Sequence, residues 1–369
     1  MRTLTRLCWM FMIIGGSTIA VASCSSAAGS STPGAPGAAP SSPAAPASPA
    51  PTPTATAAVP SPTDDVAVAD GEEWIVFQWL DPAGVDGIFL VRRDGTGQHQ
   101  LVTDLPGEET HPDWSPDGRQ IAFIRADPSG SNELWVVDAD GTNSQVLMGC
   151  QAPCNTLNYP DWAPDGSAIY FGIDSDAQPD RPPSTFGVGR YDMASGESTI
   201  VLTRTDGLTA EQPRISPDGM AVAYTRGDIL DDGAPRAVYI ADLLGGPEER
   251  ITDPALYAAY PDWAGEDRII FNSYDLGLFP DGTDPANLYS VTTDGSDLRR
   301  LTDFGAEDTR ATQPRMTPNG ASIIFTQVDG TGWGVRQMAV IELDGTNRRW
   351  VTPEPIDGTH PHLRPVSGP

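Results

Sequence analysis

The sequence predicts an all-β chain, a six-bladed β-propeller closed by a C-terminal strand that completes the first blade, and three observations predict it. An eight-residue motif, His-Pro-Asp-Trp-Ser-Pro-Asp-Gly at 111–118, returns in degraded form until the chain ends. The segments between copies repeat one order of β-branched and aromatic runs. The two ends of the repeat region carry complementary fragments of one further unit.

Copies of the motif begin at His111, Tyr159, Gln212, Tyr260, Gln313 and His360, spaced 48, 53, 48, 53 and 47 residues apart. A period of that length marks a repeat architecture. Proline at the second position cannot donate to a ladder, which places it at a strand start, and the apolar fourth position (Trp114, Trp162, Ile215, Trp263, Met316, Leu363) is expected to be buried. Ser-Pro-Asp-Gly then suits a β-turn, Pro presetting φ and Gly tolerating its positive values.

Three segments recur after each turn. The first is a buried run such as Ile121-Ala-Phe-Ile, Ile169-Tyr-Phe-Gly or Ile323-Ile-Phe-Thr. Next comes a run of the type Leu134-Trp-Val-Val-Asp or Met338-Ala-Val-Ile-Glu, with a weaker copy at Phe186–Asp192. A turn rich in Asp-Gly (140–141, 294–295, 344–345) leads to a short last strand such as Arg299-Arg-Leu-Thr. Runs of this composition bounded by Gly, Pro and Asp read as strands, and nothing carries a helical period. Each repeat is therefore four strands, a to d, and four-stranded units repeated about an axis give a propeller.

The ends set the number of units. Glu73-Trp-Ile-Val-Phe-Gln-Trp, Gly87-Ile-Phe-Leu-Val and Gln100-Leu-Val-Thr supply strands b, c and d with no strand a, whereas the motif at 360–367 has a strand a and nothing after it. Joined, they complete a sixth blade and leave no raw edge.

Residues 1–23 read as a lipoprotein signal peptide: Arg2 and Arg6, an apolar run from Leu7 to Ile14, then Val21-Ala22-Ser23-Cys24. A transmembrane helix is the competing reading, but the run is short and Gly15-Gly16 interrupts it. The last four residues resemble the lipobox of bacterial lipoproteins, which implies cleavage before Cys24 and lipidation of its thiol at the extracytoplasmic face of the cell membrane. An ordinary secretory signal is the alternative. Residues 24–69 then form a Pro/Ala/Ser-rich tether with too few large apolar groups to offset chain entropy. The propeller occupies 70–369.

Composition narrows the function classes. A net charge of −28 repels nucleic acid and anionic lipid. All 22 basic residues are Arg, so lysine chemistry is excluded, and no Gly-x-Ser-x-Gly, His-Glu-x-x-His or phosphate-binding glycine loop occurs. Cys150 and Cys154 form a local pair for which a disulfide is expected outside the cytoplasm, half a zinc site being the alternative.

The Pro-x-Trp-Ser-Pro-Asp-Gly hairpin, followed by Ile-Ala-Phe and then Leu-Trp-Val-Val-Asp-x-Asp-Gly, resembles the WD-like repeat of TolB-type propellers over residues 73–366, most strongly at 111–147. The separate N-terminal domain of TolB itself has no counterpart here, and a lipid anchor is a further departure from it. Propellers of prolyl oligopeptidase-like enzymes use similar repeats with a hydrolase domain attached.

Long, varied d–a and b–c connections, among them 150–158, 174–184, 228–235, 275–285 and 303–312, share one face of such a propeller, where recognition is usually placed. The residues that open each motif, His111, Tyr159, Gln212, Tyr260, Gln313 and His360, are expected at the channel mouth on that face as candidate ligand-binding residues, with His360 beside His111. Histidine and glutamine sets of this kind resemble the metal site of oligogalacturonate lyase-like propellers, which leaves a divalent transition metal and a lyase or carbohydrate-binding role as the alternative. Asp113, Asp161, Arg214, Asp262 and Arg315 share the third motif position and are expected to pair between blades. The Asp-Gly segments lack calcium-loop spacing and read as turns, with calcium at Asp228, Asp231 and Asp232 the alternative. The expectation is a monomeric, non-enzymatic scaffold without a cofactor, docking an envelope protein or a peptidoglycan-associated partner.

Overall fold

The computed structural model describes residues 68, 71–80, 86–103, 107–127, 131–151, 154–175, 185–204, 208–227, 235–274, 285–305, 309–329, 335–352 and 356–366, which belong to a unit spanning 58–369. The signal segment, Cys24, the tether through residue 67 and the acidic segment at Asp228, Asp231 and Asp232 lie outside the described residues.

The described strands follow the predicted order. The first set is β1 (Trp74–Leu80), β2 (Asp86–Arg92) and β3 (His99–Gln100). The second is β4 (Glu108–Trp114), β5 (Gln120–Ala126), β6 (Asn132–Asp138) and β7 (Gln145–Gly149). The third is β8 (Cys154–Trp162), β9 (Ala168–Ser175), β10 (Thr185–Asp192) and β11 (Ser198–Arg204). The fourth is β12 (Glu211–Ile215), β13 (Ala221–Arg226), β14 (Ala237–Asp242) and β15 (Glu248–Arg250). Next come β16 (Ala258–Trp263), β17 (Arg268–Tyr274), β18 (Ala286–Thr292) and β19 (Arg299–Arg300). They are followed by β20 (Thr309–Met316), β21 (Ser322–Asp329), β22 (Val335–Glu342), β23 (Arg349–Trp350) and finally β24 (Gly358–Leu363). A three-residue 3₁₀ turn, Pro254–Leu256, is the helical element among the described residues.

The first four sets form four-stranded antiparallel sheets, and strands β16 to β23 join into one larger sheet. That join is a single parallel pair, Ala286 of β18 opposite Arg310 of β20, between two antiparallel four-strand runs. The terminal strand β24 pairs with β1, Ile75 opposite Leu363 and Val76 opposite His362, so the end of the chain completes the first sheet.

The apolar periodicity explains how these units stack. Alternate residues of each central strand face opposite neighbours, so every unit contributes to two cores. Trp74, Ile88 and Leu90 of the first sheet pack on Trp114, Ile121 and Phe123 of the second. The same pattern links second to third, third to fourth, fourth to β16–β19 and these to β20–β23. Ile324, Met338 and Val340 then pack on Ile75, Phe77 and Leu363, which returns to the first sheet. This is a β-propeller arrangement.

One expectation needs correction. The motif proline is not at a strand start: the inner strand continues upstream of it, and the motif's first two residues form a bulge. Register shifts fall between Thr110 and Asp113, Asn158 and Asp161, Glu211 and Arg214, Ala259 and Asp262, and Thr312 and Arg315. The β24 pairing shifts likewise, between Thr359 and His362. A bulge tolerates a residue without an N–H as well as a strand end does. The predicted connections 150–158 and 303–312 therefore end in strand, β8 from Cys154 and β20 from Thr309. Downstream the predicted turn holds: in Ser115–Gly118 the Gly118 amide donates to the Ser115 carbonyl at 2.8 Å and Ser115 Oγ to Asp117 Oδ1 at 2.7 Å.

Candidate functional site

Each bulge places the residue before proline at positive φ: His111 (55°), Tyr159 (46°), Gln212 (55°), Tyr260 (54°), Gln313 (56°) and His360 (52°). None is glycine, and this region is uncommon for such side chains, so each carries local strain of about 1–3 kcal/mol. The bulge turns all six from the strand's own faces toward the axis, where the structure brings them together. The rings of His111 and Tyr159 are 4.0 Å apart, those of His111 and His360 4.7 Å, and those of Tyr159 and Tyr260 5.9 Å. Tyr159 and Tyr260 share a hydroxyl contact at 3.3 Å, and Gln313 Nε2 lies 3.0 Å from His360 Nε2.

The glutamines also tie neighbouring inner strands. Gln212 Oε1 accepts from the Tyr260 amide at 2.9 Å and the Thr225 hydroxyl at 2.7 Å. Gln313 Oε1 accepts from the His360 amide at 3.1 Å and the Thr326 hydroxyl at 3.0 Å. Histidine at 360 offers no such carbonyl, and Gln78 of β1 substitutes by accepting from the His111 amide at 3.4 Å. Sequence reasoning missed Gln78, Thr225 and Thr326, which lie on the second strand of their units, outside the motif.

The third motif position forms a second layer below. Arg315 bonds Asp113 and lies 3.6 Å from Asp161 and 3.9 Å from Asp262. Arg214 lies 3.5 Å from Asp161. The sixth member, His362, was not grouped with these five from sequence although it shares their position; its Nδ1 lies 2.9 Å from Asp113 Oδ1. Each carboxylate also accepts a backbone amide of the next motif: Asp113 from Trp162 at 3.0 Å, Asp161 from Ile215 at 2.7 Å and Asp262 from Met316 at 2.7 Å. His362 Nδ1, 3.1 Å from the Trp114 amide, occupies the equivalent place. Carrying a proton it donates to Asp113; without one it accepts from Trp114.

Burial sets the protonation of both layers. It pushes His111 down to about 3 and His360 well below the imidazole range, so both rings are neutral. It raises the phenols of Tyr159 and Tyr260. Burial also pushes Asp113 up, but Arg315 and His362 outweigh it and hold that carboxyl well below the usual range. Asp161 is lifted by burial to about 7 against the pull of Arg214. The layer thus gathers three carboxyls, two guanidiniums and an imidazole whose charges nearly balance. The space between the layers, lined by the motif prolines with Arg214, Arg315 and His362, is on the order of one water molecule.

Cys150 and Cys154 are joined by a disulfide at the start of β8. The Asp-Gly turns close on themselves: Asp140 Oδ1 accepts from the Thr142 amide and hydroxyl, and Asp344 does the same with Thr346.

Stacked four-stranded sheets around two axial layers define an all-β protein of the propeller class. Within that class the fold is of the TolB type. The TolB structure from Acinetobacter baumannii matches with a TM-score of 0.61 at 17% identity, covering 80% of this chain and 67% of that one. A structure assigned to TolB from Agrobacterium tumefaciens matches at 0.55 and 19% identity, covering 78% and 90%. Over 57 residues the chain is 44% identical to the Tol-Pal system protein TolB of Zymomonas mobilis, a stretch that is 15% of this chain and 12% of that protein. No family model matches.

Proposed function

We propose that this chain is a six-bladed propeller held by a lipid on Cys24 at the extracytoplasmic face of the cell membrane, where it serves as a non-enzymatic scaffold for an envelope protein or a peptidoglycan-associated partner. The count of six is supported by the packing that links each four-strand run to the next and returns to β1 and β24. The placement at the envelope is supported by the signal and lipobox-like residues, and by resemblance to a protein of the Tol-Pal system. No helix among the described residues is long and apolar enough to cross a membrane.

One observation carries the scaffold reading: the six axial residues bond and stack on one another, with His360 set against Gln313 and Tyr159 against Tyr260. An axis closed in this way works as a hub, and recognition then belongs to the face above it, with His111, Tyr159, Gln212, Tyr260, Gln313 and His360 as its floor. The test is crosslinking of the full chain in its native envelope, followed by solubilisation and identification of the adduct. A reproducible envelope adduct is expected; bound divalent metal in one-to-one ratio, lost in His111→Ala, would replace this reading with a metal-dependent one. Mass spectrometry should show diacylglycerol on Cys24, and an unmodified Cys24 removes the anchor.

A further inference from the structure

A cleft opens beside the axis where the β20–β22 run meets β24, with a volume of about 220 Å³. Its lining follows from strand register. Arg310 of β20 pairs with Val328 of β21, which pairs with Arg336 of β22, so these three lie in one cross-strand row on one face. Adjacent strands are roughly 5 Å apart, which sets the two arginines about 10 Å from each other with Val328 between. The next row toward the axis pairs Thr312 with Thr326, and Thr359 of β24 faces them across the cleft. Lower on the same face the contact with the first sheet is apolar, through Ile324, Met338, Phe77 and Leu363. The cleft is where that packing gives way to cations and hydroxyls.

The row carries two arginines in a chain that has 50 acidic residues against 22 Arg. The corresponding row of the second sheet is Glu108, Ala126 and Asn132 and has no cation. Arg336 is 8% exposed, and Asp357 engages its Nε at 2.8 Å and Nη2 at 3.5 Å. A guanidinium has five N–H donors, so that pair does not exhaust it. Two guanidiniums and the Thr312 hydroxyl are donors suited to a planar oxyanion, and Val328 between them suits a hydrocarbon stem rather than a bare inorganic ion.

We propose that this cleft is a carboxylate-binding site, taking an aliphatic carboxylate through Arg310, Arg336 and the hydroxyl of Thr312, with Thr326 and Thr359 lining its wall. The carboxylate comes from an acidic side chain of a partner polypeptide or from a small free dicarboxylic acid. The first source rests on the scaffold reading above; the second does not.

The test is titration calorimetry on the detergent-solubilised full chain with glutarate and with an acetylated, amidated Asp/Glu tetrapeptide, glutaramide serving as the neutral control. Saturable binding of a carboxylate probe without binding of glutaramide is expected. Binding of glutarate assigns the site to free acids, and binding of the tetrapeptide alone assigns it to polypeptide. R310Q and R336Q should each weaken binding about tenfold or more, the loss of one charge-assisted pair. D357N keeps the Arg336 charge and removes the carboxylate charge that competes for it, so it should tighten binding several-fold; it also decides the matter where R336Q does not fold. Binding of neither carboxylate, equal binding by R310Q, or no tightening in D357N overturns the site. An envelope adduct that survives R310Q while carboxylate binding is lost leaves the scaffold reading intact and removes its first source.

Discussion

Trp114 and His362, 248 residues apart, are bonded twice: the indole Nε1 donates to the His362 carbonyl at 3.1 Å, and the Trp114 amide lies 3.1 Å from His362 Nδ1. Arg364, two residues on, adds a bond from Nε to the Gly118 carbonyl at 2.8 Å and sits over the Trp114 ring. The terminal strand thus holds the first sheet by its ladder and the second by side chains. Deleting residues 360–369 should lower the melting temperature by on the order of 10 °C or more, because it removes the ladder partner of β1 together with Leu363. Trp114→Ala alone should cost about 3–5 kcal/mol. A melting curve that does not move in the deletion would show that the strand is not a structural closure.

Much of this was legible because it is written six times. Trp114, Trp162, Ile215, Trp263 and Leu363 announce buried positions by their common place in the motif and are buried, whereas Met316, expected to be buried with them, is only half-buried at the edge of its core. The bulge is not written: His, Tyr or Gln before proline has no local preference for positive φ, and only the contacts across the axis favour it. His362 was hidden by its chemistry, since an imidazole among aspartates and arginines looks like a break in the pattern. Gln78 was hidden by place, on a strand whose other copies carry Thr225 and Thr326.

Arg315 neutralises Asp113 in a site from which water is largely shut out. Removing one partner of such a pair leaves the other charged and buried, so Arg315→Met should destabilise by about 3–5 kcal/mol. Asp113→Asn retains an acceptor for the Trp162 amide and should cost less. The double variant should fall short of the summed single costs by about 1–3 kcal/mol, read from guanidinium chloride midpoints. Strict additivity would deny the coupling.

Two buried groups should tilt the pH dependence in opposite directions. His111 titrates near 3 when folded, below the ordinary value of 6.5, so its neutral burial is favourable at and above pH 6.5 and stability falls as pH drops toward 3. Glu109, 2% exposed and lifted by burial to about 7, is held protonated when folded, so its share of stability is fully present below about pH 4.5 and is lost as pH rises to 7. Each contributes a slope of up to about 1.4 kcal/mol per pH unit within its window. The stability of His111→Gln relative to the parent should therefore rise as pH falls below 6.5, and that of Glu109→Gln should rise with pH between 4.5 and 7. Urea unfolding from pH 4 to 8 checks both signs, and a flat difference curve for either variant removes that group from the account.

The glutamine ties give a ranked prediction. Gln313→Leu orphans the His360 amide and the Thr326 hydroxyl, and Gln212→Leu orphans the Tyr260 amide and the Thr225 hydroxyl. An unmet buried donor costs about 1–3 kcal/mol, so these two should be comparable and severe for single polar substitutions. Gln78→Leu should cost less, since its bond to the His111 amide is long at 3.4 Å. Adding Thr326→Val to Gln313→Leu should recover part of the loss, because the second change removes the donor that the first left unpaired. If instead Gln78→Leu proves the costliest of the three, the link between β1 and His111 is the principal tie at the axis, and the ranking by bond length fails.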